Sequence, residues 1–234
     1  PIKLRMEDTI ISMKKKISSY NADIFIHFAG MVNLKECEKY KKKCFSVNVV
    51  GSKKVYEACQ KAKINKFIFI STSHVYGYSN KLKFFTTRSK LNPKSYDAFS
   101  KVRAEKELIK LNKKNSYTEL YIARVFSVLA KKIRKGSLQD KINKMLTKKK
   151  INYIKGMNNV RDFMTSKEIC RKIIEYAIIK DCPKITNICS GKPAKIYDIV
   201  KKIYKVKKID FDTIYKFESK EIPNYLVGKP SFDD

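Results

Sequence analysis

The stretch Lys66–Gly77, KFIFISTSHVYG, decides the fold of this chain. Its first half is an unbroken apolar run rich in β-branched and aromatic residues, the pattern of a strand covered on both faces. A second such run lies upstream, Asp23–Phe28 (DIFIHF), and ends in Ala29-Gly30. Between the two, Val47, Val50, Val55, Ala58 and Cys59 recur at steps of three and four, which predicts a helix over Phe45–Ala62. Strand, helix, strand is the crossover unit of a parallel sheet. Working outward, Pro1–Leu4 could form a short strand and Asp8–Tyr20 has helical spacing. After a loop running to Pro93, Asp97–Leu111 reads as a helix, and Tyr117–Val128 contains another strand. The expected fold is α/β, a doubly wound parallel sheet over residues 1–130. Beyond about Lys131 the elements become shorter, at Leu138–Leu146, Ile151–Ile154, Lys167–Ile179, Ile185–Ile188 and Tyr197–Tyr204, which predicts a smaller mixed lobe over 131–234.

Of 234 residues 43% are apolar, enough for one or two domains that bury roughly 70% of the unfolded surface, so wholesale disorder is excluded. The longest apolar stretch, Ile24–Val32, is far short of the ~20 residues of a membrane span. Six cysteines, at 37, 44, 59, 170, 182 and 189, form no CxxC pair, and no secretory leader is evident. They read as reduced thiols of a cytoplasmic protein, with no metal site expected. The net charge of +31 raises the question of a polyanionic partner. Lysines are spread along the whole chain, however, and only seven of the 53 basic residues are Arg, so the charge reads as a solvated surface rather than a nucleic-acid site.

Ligands of doubly wound sheets bind beyond the carboxyl ends of the strands. At those ends stand HFAG (His27–Gly30), whose small residues allow close approach to the backbone, and STSHVYG (Ser71–Gly77), which gathers three hydroxyls and an imidazole. Downstream, SYDAFSKVRAE (Ser95–Glu105) offers a phenol and a lysine at the start of a helix.

Together these segments resemble the extended short-chain dehydrogenase/reductase family, the NAD(P)-dependent nucleotide-sugar epimerases, dehydratases and reductases. HFAG resembles the family's HLAG element, Asn48–Gly51 its NVxGT helix, FIFISTSHVYG its catalytic Ser/Thr strand and SKVRAEKEL the stretch around its lysine. IARVFSVLA resembles its LRxxNVYGP segment, NVRDF (Asn159–Phe163) its RDF element and NICSGKP (Asn187–Pro193) its NIGSGKP turn. The resemblance spans roughly residues 1–230 and implies a Rossmann-like lobe with a substrate lobe, NAD or NADP as cofactor, a nucleotide-sugar substrate and a homodimer formed through the helices at 45–62 and 97–111. A purely core-facing role for the apolar stripes of those helices is the alternative. It further implies catalytic roles for Thr72, Tyr96 and Lys101, and cofactor contacts from Phe28, Ala29, Gly30, Asn48, Ser71, Lys101 and Phe126. Ser73, His74, Ser127 and Arg161 would meet the substrate, Arg161 at its phosphates. For His74 a simple hydrogen-bonded place in the loop is the competing reading.

Two features depart from the family pattern. Four residues before Lys101, where the family has tyrosine, stands Asp97; Tyr96 is one residue out. A four-residue step turns ~400° and returns to the same helical face, whereas a five-residue step leaves side chains some 140° apart. Tyr96 reaches the site only if the helix begins after it or carries a bulge. The glycine-rich turn that cradles a pyrophosphate is also missing from this sequence, which leads us to expect either a truncated chain or a natural loss of that cradle. A rival reading is a non-catalytic protein of the same fold that contacts an acidic partner or nucleic acid through its lysines.

Overall fold

A computed structural model describes residues 1–114, 117–130, 140, 156–206 and 222–231. The helix expected at 138–146 and the strand at 151–154 lie outside the described residues.

The core is a four-stranded parallel sheet in the order β1-β2-β4-β7, from β1 (Ile24–His27), β2 (Lys66–Thr72), β4 (Glu119–Val125) and β7 (Ile185–Ile188). Side chains alternate across it, as a strand's period of two demands. Phe67, Phe69, Leu120 and Ile122 face one side and pack with Met13 and Ile17 of α1 (Ile10–Ser18), Val55, Tyr56 and Cys59 of α4 (Ser52–Lys61) and Leu108 of α5 (Tyr96–Lys114). Ile68, Tyr121 and Ala123 face the other side and meet Ile169, Ile173 and Tyr176 of α6 (Ser166–Ile178). Burial on both faces is why these strands read as unbroken apolar runs. The helix starts are equally legible. Thr9 accepts a hydrogen bond from the Ser12 amide, and Thr165 with Glu168 forms a reciprocal capping box.

The predicted helix 45–62 proves to be three pieces: α3 (Lys41–Phe45), a π-helical turn (Ser46–Gly51) and α4, following the short α2 (Leu34–Lys39). Such turns of wider pitch insert an extra residue and re-aim a side chain. Here the turn carries Asn48, fully buried. Pro1–Leu4 joins no strand, and β1 is the free edge of the sheet among the described residues. Beside that edge lies an apolar cavity of about 600 Å³ lined by Ile2, Leu4, Met13, Phe25 and Val55, ending at Phe28 and Ala29.

A second sheet runs β3-β9-β6-β5, from β3 (Phe84–Phe85), β9 (Tyr225–Gly228), β6 (Val160–Thr165) and β5 (Ser127–Leu129). On it β8 (Pro193–Lys195) pairs antiparallel with β6 and leads into α7 (Ile196–Val206). The two sheets interleave along the chain: β3 and β5 come from before residue 130, while β7, from after it, completes the first sheet.

Candidate functional site

The carboxyl ends of β1 and β2 open side by side, with β1 and β2 in register at His27 and Phe69. After β1 the chain exposes Phe28 and Ala29 and then turns at Gly30. A Cβ on Gly30 would lie 3.1 Å from Asn48 Oδ1 and 3.3 Å from Lys101 Nζ, so glycine lets the backbone pass against both. Asn48 anchors this turn: its Oδ1 accepts from the Met31 amide at 2.7 Å, and its Nδ2 donates to the Met31 carbonyl at 2.9 Å and to Ser100 Oγ at 2.8 Å. Asn48 therefore shapes the loop at which a cofactor contact was expected.

Lys101 lies on α5 with its ammonium buried at the end of β2. It donates to the Ile70 carbonyl at 2.9 Å and sits 4.7 Å from the centre of the Phe69 ring. Burial pushes its pKa down to about 8, against the upward pull of Asp97, Glu105 and the Cys44 thiol. Beneath it His27 is wedged between Phe67 and Phe69, with Nε2 at 3.1 Å from Ser52 Oγ. Burial, reinforced by the Lys101 charge, lowers the His27 pKa to about 3, so the ring is neutral at pH 7.

At the end of β2, Thr72 is half-buried and its hydroxyl accepts from the His74 amide at 3.3 Å, which opens the 3-10 turn Ser73–Tyr76. Ser73 is buried in that turn. Gly77 ends it at φ 72°, where a Cβ would fall 2.3 Å from the Asn92 carbonyl oxygen; only glycine fits. The Ser71 hydroxyl donates to Glu105 Oε1 at 2.5 Å, on a buried network rather than on the cleft that the expected cofactor role would use.

Tyr96 is the first residue of α5. Its amide donates to Glu38 Oε1 at 2.7 Å, and its ring lies 5.6 Å from Lys41 Nζ and 5.5 Å from the Phe99 ring. These contacts face α2 and α3, whereas Asp97 shares the buried face of Lys101 and acts on its charge. Because α5 starts at Tyr96 and runs regularly through Lys101, the five-residue step places the phenol and the ammonium on different faces.

The substrate-side residues form a separate cluster. Arg161 donates from Nη1 to the Val160 and Asn224 carbonyls and from Nη2 to Asn224 Oδ1, with its guanidinium 4.8 Å from the Tyr78 ring. The His74 ring lies 6.0 Å from the same Tyr78, and burial, with the nearby Arg161 charge, lowers its pKa. Phe126 is buried 6.3 Å from the Tyr76 ring, and the half-buried Ser127 begins β5. Asp162 explains the RDF and SGKP elements together: it accepts from the Ser190 amide and hydroxyl and from the Gly191 amide at 2.7–2.8 Å, pinning the turn that follows β7.

Sequence reasoning overlooked the buried Glu105–Arg124 ion pair, closed at 2.7 Å with both side chains nearly inaccessible. Its signal was present: an arginine inside the apolar run LYIARV and a glutamate one helical turn after Lys101.

The crossover sheet places a lysine, a hydroxyl and a close-approach glycine at adjoining strand ends, where doubly wound α/β proteins bind their ligands. Residues 3–189 match the NAD dependent epimerase/dehydratase family, and the chain belongs to that family. It is 24% identical over 159 residues to the capsular polysaccharide biosynthesis protein CapD of Staphylococcus aureus, covering 68% of this chain; the chain spans about a quarter, 24%, of that relative's length. Among solved structures, the Thermus thermophilus UDP-glucose 4-epimerase complex with NAD is similar at TM-score 0.81 and 15% identity, over 98% of this chain and 76% of the other. RMD from Pseudomonas aeruginosa complexed with NADPH is similar at 0.82 and 17%, over 99% and 80%. At these identities the structures establish the fold. No helix among the described residues is long and apolar enough to cross a membrane.

Proposed function

We propose that this chain carries the nicotinamide-proximal and sugar-binding part of an NAD(P)-dependent nucleotide-sugar epimerase, dehydratase or ketoreductase site. The observation that carries the reading is the buried Lys101 ammonium beside Gly30 at the ends of β1 and β2. Family membership, and the NAD and NADPH that the similar structures hold, support it.

The residues fit one end of the cofactor. Among the described residues the Lys101 ammonium has one hydrogen bond, to Ile70, which leaves it donors for the hydroxyls of a ribose. Phe28 and Ala29 are exposed beside it, and Gly30 provides backbone clearance. The pyrophosphate end finds no glycine-rich turn among these residues. When bound, NAD(P) would supply hydride exchange with a sugar carbon. The chain's own part is to hold and orient: Lys101 would donate to the ribose, and the Thr72 hydroxyl would hold the reacting sugar oxygen. Arg161, already oriented by Asn224, presents positive charge toward the loop that carries His74 and Tyr78, where the phosphates of a nucleotide sugar would sit. Proton exchange falls to Asp97 rather than Tyr96, since the carboxylate shares the face of Lys101. We also propose a cytoplasmic location, from six free cysteines. A homodimer through the helical face that exposes Val50 and Phe99 completes the reading.

The test is calorimetric titration of NAD(H) and of UDP-, dTDP-, GDP- and CDP-sugars into the chain and its Lys101→Met variant, with DNA binding measured at two salt concentrations. Saturable sugar-nucleotide binding, with cofactor binding lost in the variant, is expected. Salt-sensitive DNA binding with no sugar-nucleotide binding would overturn the reading in favour of a basic binding protein. Tyr96→Phe should leave binding and turnover unchanged while Asp97→Asn abolishes turnover; the reverse would return the proton to the phenol.

A further inference from the structure

One row of polar side chains crosses the central sheet. Ser71, Arg124 and Asn187 are consecutive ladder partners on β2, β4 and β7. Glu105 and Tyr76 connect them. Ser71 Oγ donates to Glu105 Oε1 at 2.5 Å, and Arg124 donates to the same carboxylate from Nε at 3.2 Å and from Nη2 at 2.7 Å. Arg124 Nη1 donates to Tyr76 Oη at 2.9 Å and to the Thr87 carbonyl at 3.1 Å. Tyr76 in turn donates to Asn187 Oδ1 at 2.7 Å. Asn187 Nδ2 reaches the Phe85 carbonyl at 2.8 Å and the Lys229 carbonyl at 3.3 Å, and its amide donates to Ser231 Oγ at 3.2 Å.

We propose that Glu105 is the positioning residue of the site, holding Lys101 and Thr72 in register across α5 and β2, and that Arg124, Tyr76 and Asn187 extend this hold to the 225–231 segment of the second sheet. The proposal deepens the functional reading above and rests on its Lys101–Thr72 site. The geometry is a two-point clamp. Lys101 and Glu105 are one turn apart on α5, and they grip Ile70 and Ser71, the two residues before Thr72. Sliding α5 along β2 would break both bonds and part the buried Glu105 carboxylate from the Arg124 guanidinium. Stability alone is a weak reason for such a row, because well-packed apolar side chains usually serve a sheet as well as a buried ion pair does. A fully matched network does what an apolar row cannot, which is to admit a single arrangement. Its far end meets β9, whose Tyr225 pairs with Ser79, next to the Tyr78 ring that Arg161 faces. The row therefore joins the cofactor end of the cleft to its substrate end.

The test needs no ligand. In chain carrying lysine labelled with carbon-13 at Cε, the Lys101 signal is identified by its loss in Lys101→Met and titrated by NMR. The groups that act on it are Asp97 and Glu105 on its own helix and Cys44 on α3, while His27 on β1 faces it as a neutral ring. In Glu105→Gln we expect the Lys101 midpoint to fall below about 8 by roughly half a pH unit or more. The Thr72 and His74 amide signals should move with it. Tyr76→Phe removes one oxygen and keeps the ring stacked on Phe85 at 5.3 Å, so it decides the matter where Glu105→Gln does not fold. In Tyr76→Phe the Lys229 and Ser71 amides and the Lys101 signal should all shift. Folded variants with an unchanged Lys101 titration, or Tyr76→Phe perturbations that stop at Arg124, would overturn the proposal. A failure of the functional reading shows instead in the ligand titrations, with these signals behaving as described.

Discussion

Replacing Arg124 with methionine isolates the ion pair that, among the described residues, is buried on both sides. The Arg124 and Glu105 side chains are 4% and 3% exposed, and the guanidinium makes four hydrogen bonds, two of them to that carboxylate. Methionine fills most of the volume but leaves Glu105 buried with only the Ser71 hydroxyl as donor. Breaking one side of a buried pair costs about 3–5 kcal/mol. For a chain of this size each kcal/mol is worth ~2–4 °C in Tm, so the midpoint should fall by about 6–20 °C. Replacing both partners, Arg124→Met with Glu105→Leu, removes the stranded charge and should restore up to about 2 kcal/mol of the loss. What persists comes from Ser71, Tyr76 and Thr87, each deprived of one partner at about 1 kcal/mol. The chain has no tryptophan, so thermal and urea unfolding are followed by far-UV circular dichroism and tyrosine fluorescence. A loss under about 1 kcal/mol in the single variant, or a double variant whose loss equals the sum of the two singles, would refute the reasoning.

His27 should make the chain acid-sensitive. Its folded pKa of about 3 lies below the ordinary 6.5, so the unfolded chain gains a proton that the native state refuses as pH falls through 6.5 toward 3. Stability is full above 6.5, and the His27 share should fall by about 1.4 kcal/mol per pH unit below it, a share that His27→Leu removes in urea unfolding between pH 7 and 5 while His74, also lowered by burial, keeps its own. An equal slope in both proteins would refute the assignment. Gly30→Ala places a methyl group 3.1 Å from Asn48 Oδ1 and 3.3 Å from Lys101 Nζ; it should cost about 1–3 kcal/mol and displace the Lys101 signal, and an unperturbed Lys101 resonance would show that the close approach is not real.

The central sheet was legible because β2 and β4 are covered on both faces and β1 is half-buried beside them, and DIFIHF, KFIFIST and LYIARV carry that burial as apolar runs. The second sheet was not. Its strands β3, β5 and β8 are two or three residues long, paired by segments distant in sequence, and no periodicity develops over so short a run. Pro1–Leu4 has strand composition but no described strand beside it to complete a ladder. The candidate site was read from strand ends, and the fold brings Lys101, Gly30 and Thr72 to the ends of β1 and β2. The roles of Ser71 and Asn48 were less legible, because a hydroxyl or an amide at a strand end reads the same whether it faces the cleft or the helix behind it. Here Glu105 and Met31 settle the matter from positions 34 and 17 residues away. Tyr96 turned on a single residue of helix phase, which depends on where α5 begins.

The most direct test of the proposed site uses nicotinamide mononucleotide, the part of the cofactor that Lys101 and Gly30 are proposed to hold. Added to nitrogen-15-labelled chain, it should shift the amides of Phe28–Gly30, Thr72–His74 and Lys101 in a saturable manner, and Lys101→Met should abolish the effect. Shifts confined to other surfaces, or an identical response in the folded variant, would contradict the account.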